Sequence, residues 1–111
     1  MKTLAKSSQS IEVRRLYSGL IRLHVLHHAG QEEIFGFGIM QELRRHGYRI
    51  GPGTMYPMLH GMEKSGLLRS KVQQKGGRAQ RSYRATPAGR KALVEAKEKV
   101  QELFHELFEE E

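Results

Sequence analysis

The sequence of 111 residues contains no cysteine and no tryptophan, and all 12 of its acidic residues are glutamates. The absence of cysteine excludes a disulfide framework, a thiolate metal site and a cysteine nucleophile, and it is compatible with a reducing compartment. The absence of aspartate makes Ser-His-Asp and paired-carboxylate catalysis hard to assemble, and the serines, glutamates and histidines form no recognisable catalytic motif. The composition therefore does not favour an enzyme.

Long apolar runs are missing as well, and none approaches the roughly 20 residues that a membrane span needs. The first ten residues, MKTLAKSSQS, carry lysines but lack the apolar stretch and cleavage site of a secretory signal, so they predict a flexible polar arm. A chain of this length suits one domain with a modest core. We expect a cytoplasmic protein that does not associate with membranes.

Positive charge is unevenly distributed along the chain. Residues 1–91 contain 17 Lys and Arg against 5 Glu, a net charge of +12, whereas residues 92–111 contain 2 Lys against 7 Glu, a net charge of −5. A basic body suits a polyanion such as nucleic acid or, less often, an acidic membrane surface, and an acidic helix would be repelled by both. The split predicts two parts with different roles; general solubility is the alternative explanation.

The pattern over residues 11–29 predicts a first helix with a wide apolar surface. Two rows recur at helical spacing, one of Leu16, Leu20 and Leu23 and one of Tyr17, Ile21 and Val25. A surface helix needs only one such row, so the second row indicates a further partner such as another subunit. Gly30 is expected to end the helix.

Two shorter helices are predicted next. The second covers about residues 37–46, and the third begins between Pro52 and Thr54 and closes at Gly66. The residues expected to face the core are Phe37, Met40 and Leu43 in the second helix and Met55, Leu59 and Met62 in the third. Pro57 should cost little, because it falls near the first turn.

Residues 68–85 change from a helical period to the alternation of a β-hairpin. Leu68, Ser70 and Val72 alternate with Arg69, Lys71 and Gln73, which predicts a strand with one basic face. A turn at residues 75–78 and a second strand at residues 81–85 complete a basic, two-stranded wing.

Thr86 and Pro87 predict the start of a terminal helix, because an N-cap hydroxyl precedes a proline at the first helical position. The apolar residues Leu93, Ala96, Val100, Leu103 and Leu107 recur at spacings of three and four, and Phe104 and Phe108 widen the row. About 22 residues make a rod of ~33 Å, longer than this small core can cover. We expect the rod to meet the first helix of a second copy; the alternative is a helix folded back on its own domain.

The order of elements predicts a mainly α fold with a small β-hairpin. Residues 11–85 would form a winged helix-turn-helix DNA-binding domain, and residues 86–111 a long C-terminal dimerisation helix. In this architecture the third helix enters the major groove of double-stranded DNA, and the hairpin touches the backbone or the minor groove.

Three motifs resemble those of the PadR family of bacterial transcriptional regulators. They are P-G-T-x-Y-P-x-L at residues 52–59, E-x-x-G-L-L at residues 63–68 and Y-R-x-T-x-x-G at residues 83–89. The resemblance covers about residues 16–94. It implies a winged-helix regulator that dimerises through its C-terminal and first helices, similar to the family's short subgroup.

The resemblance also implies a set of DNA-binding residues: Pro52, Gly53, Thr54, Tyr56 and His60 in the third helix, with Lys75, Arg78 and Arg81 as the wing residues best placed to contact DNA. Tyr56 is the strongest candidate, because its phenol can donate to a phosphate or a base edge; the alternative is a half-buried structural aromatic. Arg69 and Lys71 are expected to be solvating charges. The family often has serine where Gly51 stands, so a capping hydroxyl is absent here.

The dimer interface is expected to contain apolar residues of the first and terminal helices: Leu16, Leu20, Leu23, Leu93, Val100, Leu103, Phe104 and Leu107. Family members respond to phenolic acids, drugs or other signals, often at this interface. The terminal helix here has no tryptophan that could sandwich a flat aromatic ligand. The effector stays open between a small aromatic molecule and a divalent metal ion.

Histidines of the first helix are the candidate metal ligands. His24 and His28 lie four residues apart, with His27 beside them and Glu32 shortly after, and histidines at this spacing can chelate a divalent ion. The alternative is that His24 and His27 fill a half-buried interface as neutral side chains while His28 faces water. The remaining histidines are scattered and add no support, unless His105 of a second copy reaches the first helix.

The favoured function is a sequence-specific, dimeric DNA-binding repressor that is released by an effector. Its operator would be an inverted repeat with half-sites about one helical turn, ~10 bp, apart. The alternative is a nonspecific architectural nucleic-acid-binding protein, which would share the salt dependence but prefer no sequence.

Overall fold

A computed structural model describes residues 10–109 as four helices and three strands. In chain order these are α1 (Ile11–Gln31), β1 (Ile34–Phe35), α2 (Gly36–Arg45), α3 (Pro52–Lys64), β2 (Leu68–Lys75), β3 (Arg78–Ala85) and α4 (Pro87–Phe108). The mainly α fold with a small antiparallel sheet is confirmed. The predicted arm lies outside the described residues except for Ser10, whose hydroxyl caps α1 by accepting from the Val13 N–H at 3.3 Å.

One core joins the second half of α1, helices α2 and α3, and the sheet. Its buried side chains include Val25 and Leu26 of α1, Met40 and Leu43 of α2, Met55, Leu59 and Met62 of α3, and Leu68, Tyr83 and Ala85 of the strands. The predicted inward rows of α2 and α3 are confirmed at these positions. Because Ile21 and Val25 are buried and Leu16 and Leu20 are exposed, α1 uses one of its two apolar rows within its own domain.

The prediction that Gly30 ends the first helix is wrong. Helix α1 continues through Gly30 to Gln31, and the Glu32 N–H closes it by donating to the His28 carbonyl at 3.1 Å. Gly30 does not adopt the left-handed conformation that ends many helices, whereas Gly47 and Gly66, with φ of 92° and 84°, do so after α2 and α3. The chain leaves α1 by an extended residue, Glu32.

The placement of Phe37 in the core is also wrong, because its side chain is 60% exposed. Helix α2 begins at Gly36, one residue before the predicted start. The residues that face inward are then Gly36, Ile39, Met40 and Leu43, at the spacing of one helix face. Phe37 lies about 100° around the helix from Gly36 and points out of the domain.

The sheet contains one strand that the sequence pattern did not predict. Strand β1 has only two residues and pairs with β3 through Ile34 and Tyr83, which gives the antiparallel order β1-β3-β2. Strands β2 and β3 run to a two-residue turn at Gly76 and Gly77, both with positive φ, as a tight hairpin turn requires. Val72, predicted to face inward, is 56% exposed because the hairpin projects beyond the core.

Pro57 is the sixth residue of α3 and lies in its second turn, next to the first turn near which it was expected. Its missing N–H leaves the Gly53 carbonyl without its usual helical partner. The helix nevertheless continues to Lys64. Backbone bonds from Thr54 and Met55 to the Gly51 carbonyl form its first turn.

Thr86 caps α4 as predicted. Its hydroxyl accepts from the Gly89 N–H at 2.9 Å and donates to the Gly66 carbonyl at 2.5 Å. Gly89 is buried, and a Cβ there would overlap the Leu67 carbonyl oxygen, so only glycine permits this close approach of α4 to the body. From Lys97 to Glu109 every side chain is exposed, so this part of α4 is not folded back on its own domain. No helix within residues 10–109 is long and apolar enough to cross a membrane.

Candidate nucleic-acid interface

Helix α3 divides its residues between the core and one exposed face. Its methionines and Leu59 are buried, whereas the five residues predicted to contact DNA are all exposed: Pro52, Gly53, Thr54, Tyr56 and His60. The N-cap residue Gly51 makes no side-chain hydrogen bond, which agrees with the predicted absence of a capping hydroxyl. A helix with this exposed face has a width suited to the major groove.

The ring of Tyr56 packs against the first turn of α2. A Cβ on Gly36 would lie within 2.8 Å of the Tyr56 hydroxyl and would overlap the ring. The ring is still 42% exposed, so Tyr56 combines the two alternatives, a packed aromatic and an accessible phenol. Since Gly36 has no side chain, the ring is held close to the α2 backbone.

A groove of about 790 Å³ runs between α3, the first turn of α2 and the wing. We call it the wing groove; its lining residues are Phe35, Gly36, Phe37, Gly38, Tyr56, His60, Lys75, Arg78, Ala79, Gln80, Arg81 and Tyr83. The wing groove thus brings together Tyr56, His60 and the three predicted wing cations. None of these lining residues is acidic, so the groove has the charge expected for a polyanion.

Pro52, Gly53 and Thr54 do not line the wing groove. Thr54 lies instead in a second groove of about 1080 Å³, between the N-terminal half of α1 and the turn that joins α2 to α3. The cations of this second groove are Arg14, Arg15 and Arg49. The Arg44 side chain holds the turn by donating to the Ile50 carbonyl at 3.1 Å. The start of α3 is therefore flanked by the cations of this second groove, and the later part of α3 by those of the wing groove.

A hydrogen-bonded network fixes the base of the wing to the chain just before β1. The Gln73 amide donates to Glu33 and to the Ser82 hydroxyl, each at 3.0 Å, and the Lys71 ammonium lies 3.1 Å from the other Glu33 oxygen. These hydrogen bonds, that of Gln73 first and that of Lys71 second, lower the pKa of Glu33. Lys71, expected to be a free solvating charge, is therefore partly neutralised.

Arg81 connects the wing to the end of α3. Its guanidinium donates to the Ser70 hydroxyl at 3.0 Å, and that hydroxyl donates to Glu63 at 2.7 Å. The Ser70 N–H donates to the same Glu63 oxygen at 3.2 Å. Arg81 is thus oriented by the protein, whereas Arg78 at the tip is held by no comparable bond among residues 10–109.

Phenylalanines of the wing groove were missed by sequence reasoning. Phe37 lines it as an exposed ring, and the Lys75 ammonium lies 4.3 Å above the centroid of Phe35, a cation–π contact. A signal for Phe37 was available, because a helix face that includes Ile39, Met40 and Leu43 passes through Gly36 and leaves Phe37 outside it. No sequence signal linked Lys75 with Phe35, since the contact depends on the pairing of β1 with β3.

The histidines of α1 lie near the turn that leads to α3. The His24 ring is 4.8 Å from His46 and 5.6 Å from Tyr48, and His28 Nε2 is 3.9 Å from Glu42, which also contacts His46 at 3.1 Å. The alternative assignment of His27 and His28 is wrong in detail, because His27 is exposed and His28 is half-buried. His46, considered too scattered to matter, belongs to this cluster.

Burial, followed by the charge of His46, lowers the pKa of His24. A hydrogen bond from Arg45 is the main cause that lowers the pKa of Glu42. Among the described residues 10–109, no group of three or more histidine or glutamate side chains has the geometry to hold a metal ion. The pairing of His24 with His28 at a metal stays a prediction.

A row of exposed apolar side chains lies along α1 and α4, away from the wing groove. We call it the apolar seam; its residues are Leu16, Leu20, Val100, Leu103, Phe104 and Leu107. Leu23 is half-buried, and Leu93 packs partly against its own core. Six predicted interface residues are therefore available to a partner, and the other two also serve the domain itself.

The three helices, the hairpin and the groove between them define a winged helix-turn-helix. The family model described as the transcriptional regulator PadR-like family matches residues 25–95. The chain is 50% identical over 95 residues to the transcriptional regulator Rv3488 of Mycobacterium tuberculosis, covering 86% of this chain and 89% of that protein.

Solved structures are similar as well. A PadR family transcriptional regulator from Eggerthella lenta has a TM-score of 0.71 at 30% identity, covering 88% of this chain and 83% of that one. A PadR-like transcriptional regulator from Bacillus cereus has a TM-score of 0.74 at 25% identity, covering 87% and 99%. The chain belongs to the PadR-like family. It is a transcriptional regulator, which implies DNA binding, and such proteins are generally not enzymes.

Proposed function

We propose that this protein is a homodimeric, sequence-specific repressor that binds operator DNA through α3 and the wing. The observation that carries the proposal is the wing groove, in which Lys75, Arg78 and Arg81 face Tyr56 and His60 with no acidic residue in the lining. Cations in such a groove replace the counterions of DNA phosphates, which supplies affinity, while side chains of α3 reach base edges and supply specificity.

The apolar seam supports the dimer. Leu16 is 68% exposed and Leu103 is 51% exposed, and neighbouring seam residues extend this apolar surface along both helices. Large apolar side chains exposed in such number on two helices favour a protein interface. In a twofold dimer α4 of each subunit would cover α1 of the other, and two α3 helices would face DNA as a symmetric pair. The operator would then be an inverted repeat with half-sites about 10 bp apart.

Repression would follow from binding of the dimer to promoter DNA. A dimer bound across a promoter blocks polymerase sterically, which needs only the DNA-binding and dimer surfaces described above. An effector that releases the DNA would bind at the junction of the DNA-binding surface and the dimer surface. The candidates are a small aromatic molecule and a divalent metal ion, and His24 and His28 are the proposed ligands of the metal because they lie on α1 between the seam and the α2–α3 turn.

A gel-shift assay with the labelled upstream DNA of its own gene tests the proposal. We expect a complex that survives excess random duplex and weakens by about 1,000-fold or more between roughly 50 and 200 mM salt. Addition of zinc or of a small phenolic acid should release the DNA if that compound is the effector. Equal competition by random duplex would favour the nonspecific architectural binder, and no binding in dilute buffer would contradict both functions.

A further inference from the structure

Phe37 has an exposed aromatic ring in a groove whose other exposed side chains are mainly cationic. It does not stand alone, because Tyr56 and the half-buried Phe35 line the same wing groove. An apolar surface of this kind, rimmed by charge, marks a place that a ligand covers.

The neighbours of Phe37 leave its ring open to a bulky ligand. Gly36 and Gly38 flank it in the sequence, and both line the groove without a side chain. A Cβ added at Gly38 would meet no atom within 4 Å other than those of its own chain neighbours and helix backbone, so the space in front of Gly38 is open. A ligand could therefore approach the α2 backbone and the Phe37 ring together.

The chemistry of the groove restricts the ligand. Its cations call for an anion, but Phe37 has no donor or acceptor for an anionic group, so its ring is best covered by apolar atoms. A ligand that satisfies both must alternate charged and apolar groups along its length. The sugar–phosphate strand of DNA does so, with anionic phosphates separated by deoxyribose rings that present carbon atoms.

The position of the groove selects the strand rather than the bases. When α3 lies in the major groove and the wing in the adjacent minor groove, the part of the duplex between them is one sugar–phosphate strand, because that strand is the ridge that separates the two grooves. The wing groove is the space between α3 and the wing. A thymine methyl, the other apolar group of DNA, lies within the major groove, where α3 rather than Phe37 would contact it.

We propose that Phe37 is a DNA-contact residue whose ring packs on a deoxyribose of the strand that crosses the wing groove. The inference rests on the DNA binding proposed above. The contact involves no charge and no base, so it adds affinity that is independent of sequence and of counterion release. It also sets the depth at which the strand sits between Tyr56 and the wing cations.

Binding of a labelled random-sequence duplex of about 30 bp, titrated at several salt concentrations, tests this with the variant Phe37→Ala. We expect about five-fold weaker binding to this duplex and to the upstream DNA alike, with the slope of log affinity against log salt unchanged. Phe37→Tyr keeps the ring and should bind like the wild type. Val72→Ala is the matched control, because Val72 is a similarly exposed apolar residue of the wing that does not line the groove.

Since Phe37 is exposed, the thermal midpoint of Phe37→Ala should match that of the wild type, which separates a lost contact from a folding defect. Wild-type affinity of Phe37→Ala would overturn the inference and leave the repressor function standing. A loss confined to the upstream DNA would show a base contact, and a changed salt slope would show an effect through the cations; either result contradicts the sugar contact. Failure of the wild-type protein to bind any duplex would overturn the DNA-binding function itself.

Discussion

The wing groove and the apolar seam both expose large apolar side chains, but their surroundings differ in charge. Phe37 and Tyr56 lie among Lys75, Arg78 and Arg81, whereas the α4 part of the seam lies within residues 92–111 of the chain, which carry a net charge of −5. Exposure indicates in both places that a partner is missing. The charge around each surface differs in the way that the two proposed partners require, DNA for the groove and a second copy of the protein for the seam.

If the two surfaces bind these two partners, a substitution in the apolar seam should have the largest effect on dimerisation and DNA affinity. In Leu103→Glu a charge is placed in the middle of the proposed interface, and we expect a monomer at micromolar concentration in analytical ultracentrifugation. Binding to DNA with two half-sites should fall by about 100-fold or more, because the two subunits no longer bind together. Gln101→Glu adds the same charge on another side of α4 and should remain dimeric. If Leu103→Glu remained dimeric, the apolar seam would not be the dimer interface.

In the wing groove, Arg78→Ala should reduce DNA affinity by less than Leu103→Glu does. We expect about five-fold weaker binding to upstream and random duplex alike at low salt, and a salt slope reduced by about 1, since one phosphate contact is removed. Fluorescence anisotropy across a salt series measures both quantities. Lys97→Ala removes a cation from α4 instead and should leave affinity and slope unchanged. Equal effects of the two substitutions would show that net charge, not the groove, governs binding.

Gly36→Ala tests the aromatic part of the groove without changing any charge. The added methyl displaces the Tyr56 ring, and we expect about three-fold weaker DNA binding with little change in thermal midpoint, because the side-chain end of Tyr56 can move. In a double-mutant cycle, Gly36→Ala should have no further effect on Tyr56→Ala. Gly61→Ala, also in a helix but with open space around its Cβ, is the control. Additive losses would mean that Gly36 acts independently of Tyr56.

The smallest expected effect is on the pH dependence of stability. It concerns His24, which lies on α1 between the two surfaces. Its lowered pKa means that the unfolded chain binds protons more readily, so the stability that depends on neutral His24 is complete above the ordinary value of about 6.5 and is lost as the pH falls below it. Protonation would be opposed by His46, His28 and His27 and favoured by Glu42.

We therefore expect the thermal midpoint of His24→Gln to fall less than that of the wild type between about pH 7.5 and 5.5. His60→Gln, an exposed histidine of α3, is the control and should follow the wild type. Identical pH profiles for His24→Gln and the wild type would exclude His24 as the source of the dependence.

Local signals in the sequence predicted the elements well wherever one residue type dictates the backbone. Thr86 followed by Pro87 predicted the start of α4, and Gly76 and Gly77 lie at the tight turn of the predicted hairpin. The inward row of α3 followed from its spacing alone. The residues of the wing groove came mainly from the resemblance to the family, because charge and period cannot tell which cations face α3.

The errors arose where position depends on contacts between distant segments. Strand β1 is two residues long, too short for any alternation, and exists because β3 pairs with it. Phe37 was misplaced because the buried face of α2 runs through Gly36, Ile39, Met40 and Leu43, and the packing of Gly36 against Tyr56 leaves Phe37 outside that face. His46 joined the histidines of α1 because α2 packs back against α1, which spacing along the chain cannot reveal.

By itself the sequence determined the type and order of the main elements. It also determined the separation of the basic body from the acidic C-terminal residues and the excess of apolar surface on the first and last helices. These features could be read because helical period, capping chemistry and charge are properties of short segments. Only the tertiary structure decided which side chains meet. Wing cations share one groove with Tyr56 and Phe37. Arg81 donates to Ser70, which donates to Glu63, and His24 packs on His46. These contacts depend on the pairing of β3 with two strands and on the packing of α2 against α1, which no local pattern in the sequence can specify.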